Sequence, residues 1–185
     1  MQLNLGCGFD HRKGYVNVDS WPGCAPDCVV NLEQFPWPFE DCSITRILAH
    51  HVLEHLGGDL ATFRGLWREI YRIAAPGCEI DVRLPYYKSA EFWTDPTHVR
   101  VYTHLTFEML SKAVNQRWIE EGKSNTKLAM MFDVDFAILA NGLVWEADWQ
   151  NRLDCKQISL QQLVDIERNN WNVVKELSFE LAALK

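Results

Sequence analysis

The most constraining feature of this chain is a short apolar strand that runs into a Gly-x-Gly turn near its start. Leu3-Asn4-Leu5-Gly6-Cys7-Gly8 supplies strand and turn, and Tyr15-Val16-Asn17-Val18-Asp19 follows as a second strand that ends in a carboxylate. Glycine lets the main chain turn sharply and approach a ligand where a Cβ would collide. A carboxylate at the end of the next strand suits two ribose hydroxyls. The two segments therefore predict a nucleoside site, against the simpler alternative of a tight turn with a surface aspartate.

Short apolar runs alternate with longer amphipathic patterns, which is typical of an α/β protein. Strands are predicted at residues 2–5, 15–18, 27–31, 44–49, 78–84, 130–140 and 173–183. The first five look parallel, and the late pair suggests an antiparallel strand at an edge of the sheet.

Helices are predicted between these strands. The clearest covers residues 59–73, where one apolar stripe recurs at helical spacing. A shorter helix is predicted at 106–115. A third runs to about residue 169 from a capping box at Ser159-Leu160-Gln161-Gln162.

Length and composition predict a single domain over residues 1–185, because 48% hydrophobic residues are ample for one core. The formal charge of −7 disfavours a nucleic-acid partner, since such affinity depends on clustered Lys and Arg. No apolar run approaches the roughly 20 residues that cross a bilayer, so no membrane partner is predicted. The chain shows no export signal, and its six cysteines form no Cys-x-x-Cys pair, which favours reduced thiols in the cytoplasm.

These segments together resemble the class I S-adenosylmethionine-dependent methyltransferases over roughly residues 2–115. The motifs that carry the resemblance are the Gly-x-Gly strand, Val18-Asp19, the 27–41 segment with its Pro/Phe loop, the 47–56 strand with its Val-Leu-Glu-His tail, and Glu69-Ile70-Tyr71-Arg72-Ile73 closing with Pro76-Gly77. The resemblance implies a Rossmann-like, doubly wound, mostly parallel seven-stranded sheet with an antiparallel edge strand. Only ten residues separate Gly8 from Asp19, so a turn must replace the family's usual first helix. That spacing is similar to the spacing in a compact subgroup of the family, in which the first crossover is shortened.

The resemblance also implies S-adenosyl-L-methionine as the cofactor. By this resemblance, the Gly-x-Gly main chain passes under the cofactor and Asp19 binds the ribose. Asn31 meets the adenine edge, and Ala49 and His50 lie near the methionine part. The implied cofactor contacts are Asn4, Gly6, Cys7, Gly8, Asp19, Asn31, Leu32, Ala49 and His50. For Asn31 a plain turn role is an equal alternative.

Acceptor chemistry is expected from the residues after the fourth and fifth strands, because open α/β sheets bind ligands at the carboxyl ends of their strands. His55 and His98 are the candidates for proton transfer, since histidine titrates near neutral pH. Tyr86, Asp95 and Arg100 are candidates for substrate binding. The alternatives are structural: His55 supports the fold, the loop residues hold the loop by hydrogen bonds, and Tyr86 is a packing aromatic.

A competing motif overlaps the fourth strand's tail. His51-Val52-Leu53-Glu54-His55 satisfies the inverted zinc-peptidase pattern, in which two histidines on one helix face bind zinc and Glu54 acts as base. Its position directly after a strand, with no third ligand in view, disfavours this hypothesis, and no metal is predicted.

The preferred function is O- or N-methylation of a small molecule. A further alternative is a protein of this fold that binds cofactor or a partner without methyl transfer.

Overall fold

The computed structural model describes residues 1–185 and forms one seven-stranded sheet. The strands are β1 (Gln2–Leu5), β2 (Val16–Asp19), β3 (Cys28–Val29), β4 (Ile44–His50), β5 (Ala74–Pro85), β6 (Phe136–Trp145) and β7 (Val174–Ala183). Their order across the sheet is β3-β2-β1-β4-β5-β7-β6. Strands β1 to β5 pair in parallel, whereas β7 is antiparallel to β5 and to the edge strand β6. The predicted Rossmann-like α/β class, mostly parallel with an antiparallel strand towards one edge, is confirmed.

The α-helices lie between and beyond these strands. They are α1 (Leu60–Ile73), α2 (Ala90–Thr94), α3 (His104–Glu108), α4 (Lys112–Glu120), α5 (Leu128–Phe132), α6 (Ala147–Asp154) and α7 (Leu160–Asn169). None is long and apolar enough to span a bilayer. Helix α1 joins β4 to β5 and buries Phe63, Leu66, Trp67 and Ile70, which confirms the predicted stripe. Asp59 caps its first turn by accepting from the amides of two residues that follow.

Two predictions on the second half of the chain are wrong in part. The strand predicted at 130–140 begins only at Phe136, because Leu128, Ala129 and Phe132 bury one face of α5. The single helix predicted at 106–115 is two helices. Ser111 separates them, since its hydroxyl accepts from the Val114 amide and starts α4.

A buried polar network replaces the helix that a parallel crossover usually needs between β1 and β2. The Asn4 amide donates to the Asn17 side chain at 3.0 Å and to the main-chain oxygen of Asp10 at 2.8 Å. Asn17 in turn accepts from the Arg12 amide and donates to the Asp27 carboxylate. The predicted turn between Gly-x-Gly and Asp19 is therefore confirmed, and the hydrogen bonds of Asn4 and Asn17 hold it in place.

The sheet has one apolar face and one polar face. Strand β5 buries Ile80, Val82 and Leu84, while the residues between them, Glu79, Asp81 and Arg83, are wholly or partly exposed. Parallel strands that are covered on both faces have continuous apolar sequences instead. The polar face agrees with the lack of an α-helix in the crossovers before β4.

An ion pair between the buried Glu69 and the partly exposed Arg72 attaches the segment after β3 to α1. Glu69 Oε2 accepts from the Trp37 amide at 2.6 Å, and Oε1 accepts from Arg72 Nε. The Arg72 guanidinium also donates to the main-chain oxygens of Trp37 and Phe39. Trp37 and Phe39, which this ion pair contacts, are both buried in the core.

Helix α7 begins with the predicted capping box, in which Ser159 Oγ accepts from the Gln162 amide and the Ser159 amide donates to Gln162 Oε1. We expect Ser159→Ala to lower the free energy of unfolding by about 1 kcal/mol, because a first-turn amide loses its acceptor. Urea denaturation measures the change. Ser124→Ala, at an exposed site, is the matched control, and an equal effect of both variants would contradict the assignment.

Candidate functional site

The site is built where β1, β2 and β4 end, at the carboxyl edge of the sheet. Gly8 N donates to Asp19 Oδ2 at 2.9 Å, so the first turn and the second strand meet as predicted. The other oxygen, Asp19 Oδ1, accepts from the Trp21 amide at 2.9 Å. A carboxylate oxygen accepts more than one hydrogen bond, and Asp19 is partly exposed. It can therefore bind a further donor from solvent.

The two glycines of the turn serve different purposes. Both have positive φ angles, +62° at Gly6 and +48° at Gly8. A Cβ on Gly6 would lie 2.4 Å from Val52 Cγ2, so glycine is required there by packing. A Cβ on Gly8 would meet no atom within 4 Å. Gly8 therefore borders open space beside the Asp19 carboxylate.

Cys7 lies between them with its side chain buried. Burial, together with the neighbouring Cys24 and Asp19, raises the pKa of the Cys7 thiol to about 11. The thiol therefore carries no charge near neutral pH, and it fills space beneath the turn.

The raised pKa predicts a pattern of thiol alkylation. The thiolate is the reactive form, and a rise in pKa from 9 to about 11 lowers its fraction about 100-fold at pH 8. We expect iodoacetamide to label the exposed Cys42 and Cys155 at that pH while Cys7 stays largely unmodified. Labelling of Cys7 should increase as the pH rises through 11. Peptide mass spectrometry measures the rates, and equal rates at pH 8 would contradict the environment described for Cys7.

The predicted adenine-side residues divide into main-chain and side-chain roles. Asn31 is exposed, but its Oδ1 accepts from the Glu33 amide at 3.0 Å, which is the turn contact left open as an alternative. The Leu32 side chain is buried, and its main-chain oxygen accepts from Trp37 Nε1. The Leu32 amide donates to no protein atom.

The remaining predicted cofactor residues are defined by their burial or by their protein contacts. Asn4 is buried with its amide donated inside the protein, so it holds the turn. Ala49 is fully buried at the end of β4. The His50 ring lies 3.1 Å from Asp81 Oδ1, which places it on the polar face between β4 and β5.

The loop after β5 is attached to the turn after β4. The amides of Val99 and Arg100 donate to the Glu54 main-chain oxygen, and Arg100 Nε donates to the Gly57 oxygen at 2.8 Å. The same guanidinium lies 4.0 Å above the Phe63 ring. Asp95 accepts from the Thr97 hydroxyl and amide, contacts that lower the pKa of its carboxyl. Asp95 and Arg100 therefore hold the loop, as their structural alternative proposed.

This attachment brings His55 and His98 together, with ring centroids 4.6 Å apart. His98 Nδ1 lies 2.7 Å from the Phe92 main-chain oxygen, and because that oxygen only accepts, Nδ1 carries the proton. His55 Nδ1 lies 2.8 Å from Thr97 Oγ1. Since the Thr97 hydroxyl donates to Asp95, His55 Nδ1 is also a donor. Nε2 of each neutral ring is thus left as an acceptor.

The geometry of the inverted zinc-peptidase motif is absent. His51 has a left-handed φ of +52°, and only a short 3-10 turn, Leu53–His55, follows it. The two histidines of the motif therefore share no helix face. The Glu54 carboxylate is the main cause that raises the pKa of His51, and Glu176 of β7 adds to it from 3.4 Å.

Tyr86 fastens α7 to the segment after β5. Its hydroxyl donates to the Glu167 carboxylate, and Lys88 Nζ lies 2.9 Å from the same oxygen. Burial and this contact raise the pKa of Tyr86 well above its usual value. Tyr86 therefore holds α7 against the segment after β5.

The sequence prediction missed several residues at this edge. Phe9, 78% exposed, and Trp21, also exposed, pack edge to face against each other with ring centroids 5.7 Å apart. Their position directly after Gly8 and just after Asp19 is the signal that could have identified them. A cavity of about 550 Å³ between α1, the segment after β3 and Lys185 contains none of the predicted site residues.

Comparisons with known proteins rest on structure, since no protein-family model and no curated protein matches the sequence. A SAM-dependent methyltransferase from Archaeoglobus fulgidus superposes with a TM-score of 0.62 at 15% identity, covering 98% of this chain and 85% of that one. The partner of the Trm112 methyltransferase activator from Haloferax volcanii gives 0.58 at 13% identity, with 100% and 82% covered. The [4+2]-cyclase SpnF gives 0.54 at 15% identity, with 99% and 74% covered.

At these identities the likeness concerns the fold. Three observations support a shared fold: the order of the strands in the sheet, the antiparallel β7, and the near-complete coverage of this chain in the superpositions. The chain has the fold of the class I S-adenosylmethionine-dependent methyltransferases.

Proposed function

We propose that this protein binds S-adenosyl-L-methionine and transfers its methyl group to a small-molecule acceptor. The observation that supports this most is the Asp19 carboxylate, held by the Gly8 amide beside open space. A carboxylate at the end of β2 next to a glycine turn fits the ribose of a nucleoside, and a Cβ at Gly8 would reduce that space.

In this proposal the chain's own groups divide the work of binding. Asp19 accepts from the ribose hydroxyls while the Gly6-Cys7-Gly8 main chain passes beneath. The Leu32 amide donates to the adenine, and Asn31 Oδ1, which accepts from the Glu33 amide, has a second lone pair for the adenine amino group. The main chain at Ala49 and His50 lies by the methionine part. Phe9 and Trp21 cover the nucleoside from solvent.

Bound cofactor supplies an activated methyl group, so the protein's contribution is alignment, exclusion of water and handling of the acceptor's proton. Nε2 of His55 or His98 takes that proton, because Nδ1 of each ring is already a donor. Asp95 and Arg100 keep the loop in place, and Tyr86 positions α7 as a wall of the acceptor site.

A small acceptor is favoured over nucleic acid because the chain carries a net charge of −7. We assign the activity to the cytoplasm, where six unpaired cysteines stay reduced.

The test is transfer of isotope-labelled methyl from S-adenosylmethionine into a pool of small metabolites. We expect a labelled product that is lost when His55→Gln and His98→Gln are combined, and kept with His104→Gln, which changes an exposed histidine on α3. A second candidate function is cofactor binding without transfer, or transfer that requires an activating partner. The helix-free first crossover and the likeness to an activator-bound protein and to a cyclase favour it. Tight cofactor binding with no labelled product would support this second candidate.

A further inference from the structure

The turn after β4 holds a buried carboxylate that lacks a hydrogen-bond partner. Glu54 is 1% exposed, and neither Oε1 nor Oε2 accepts from any protein donor. Burying an unpaired carboxylate is costly, so such a group in a native fold calls for a compensating ligand.

Two imidazoles approach this carboxylate. One nitrogen of His55, one of His98 and a carboxylate oxygen of Glu54 all lie within 4.8 Å of one another. His55 Nε2 is 4.0 Å from Glu54 Oε1. These three groups come from the turn after β4 and from the loop after β5, which the main-chain contacts of Glu54 hold together.

The outer contacts orient both rings for a cation. His98 Nδ1 donates to the Phe92 oxygen, and His55 Nδ1 donates to Thr97 Oγ1, which Asp95 holds. Histidines that bind metals through one nitrogen are held in this way through the other. The lone pairs of both Nε2 atoms remain free.

We propose that Glu54, His55 and His98 form a binding site for a divalent transition-metal ion such as zinc. Two imidazoles and one carboxylate are a ligand set that such ions accept with a further position open. Ligand atoms around tetrahedral zinc are ~3.3 Å apart, so modest side-chain shifts close the site. His55, 33% exposed, marks the open side. This set differs from the inverted peptidase motif because His98 takes the place of His51.

His51 offers the competing explanation for the buried charge. Its Nδ1 lies 3.6 Å from Glu54 Oε1, beyond hydrogen-bond distance, and the ring is 46% exposed and shared with Glu176. That arrangement leaves Oε2 without a partner. A cation between Glu54 and the two free nitrogens compensates the carboxylate from the other side.

The inference does not rest on the proposed methyl transfer, because it concerns the chain without cofactor. It assigns the free nitrogens of His55 and His98 as metal ligands. A metal there would lower the pKa of a bound acceptor hydroxyl, in place of direct proton uptake by the rings.

Titration of chelator-treated protein with zinc chloride, by calorimetry, tests the site. We expect one ion per chain and at least about a 10-fold weaker affinity for Glu54→Gln and for His98→Gln. His104→Gln removes an exposed histidine that lies 3.7 Å from Glu108 and should leave the affinity unchanged. Cobalt chloride on the unmutated chain should give the visible absorption of a nitrogen- and oxygen-bound ion.

A second measurement needs no variant. Zinc should protect His55 and His98 from modification by diethyl pyrocarbonate and leave the rate at His104 unchanged. The absence of stoichiometric zinc binding overturns the inference, and so does protection at His51 in place of His98. Binding of S-adenosylhomocysteine, measured on the same sample, reports separately on the proposed function.

Discussion

Replacing Asp19 with alanine is expected to weaken the binding of S-adenosylhomocysteine by at least about 100-fold. In the proposed complex the carboxylate accepts from two ribose hydroxyls, and each hydrogen bond to a charged group contributes about 1.5–3 kcal/mol. Loss of both therefore costs about 3 kcal/mol or more, which corresponds to a factor of about 100 in affinity. Calorimetric titration of the variant and the unmutated chain measures the difference.

Two further variants separate this role from a general effect on the turn. Asp10→Ala removes an exposed carboxylate of the same loop, paired only with Arg12, and should leave affinity within about 2-fold. Asp19→Asn keeps one acceptor oxygen and should give an intermediate loss. Because Asp19 also accepts from Gly8 and Trp21, urea denaturation must show that Asp19→Ala still folds. Unchanged affinity in a folded Asp19→Ala variant would contradict the role assigned to this carboxylate.

Replacing Glu69 with alanine is expected to lower the free energy of unfolding by about 2–3 kcal/mol, because the buried Trp37 amide loses its acceptor while Arg72 keeps its pair with Asp41. The substitution leaves the Trp37 amide without its acceptor and the Arg72 guanidinium without its buried partner. The contacts of Arg72 with the main-chain oxygens of Trp37 and Phe39 remain in the variant. The urea midpoint, at unchanged slope, measures the loss.

The controls for this prediction retain part of the contact or lie beside it. Glu69→Gln keeps an oxygen for the Trp37 amide and should lose less than the alanine variant. Glu40→Ala changes an exposed carboxylate in the same segment and should stay within about 0.5 kcal/mol of the unmutated chain. A Glu69→Ala variant as stable as Glu40→Ala would show that the ion pair does not fasten this segment.

The parts of the fold that the sequence predicts well are those with local signals. The Gly-x-Gly turn, the apolar stripe of α1 and the Ser159 capping box each depend on residues within a few positions of one another. The contact between Gly8 and Asp19 was also predictable, because adjacent parallel strands end at the same edge. The 130–140 segment was not, since a short apolar run such as Met130-Met131-Phe132 fits a helix or a strand equally.

The side-chain contacts of the site depend on packing between distant segments. Tyr86 meets Glu167 across 81 positions, and no pattern near Tyr86 indicates an acidic partner. His98 reaches Glu54 and His55 only because the loop after β5 folds onto the turn after β4. The spacing of motifs also does not indicate which hydrogen-bond partner a side chain takes. The contact between the Asn31 oxygen and the Glu33 amide is therefore visible only in the structure.

The most direct test of the nucleoside site is calorimetric titration of the unmutated chain with S-adenosylhomocysteine, followed by thermal denaturation of the complex. We expect saturable binding at one site per chain and a higher melting temperature with ligand, because the ligand binds only the folded state. No heat and no change in melting temperature at millimolar ligand would contradict the assignment of Gly8 and Asp19 to a nucleoside.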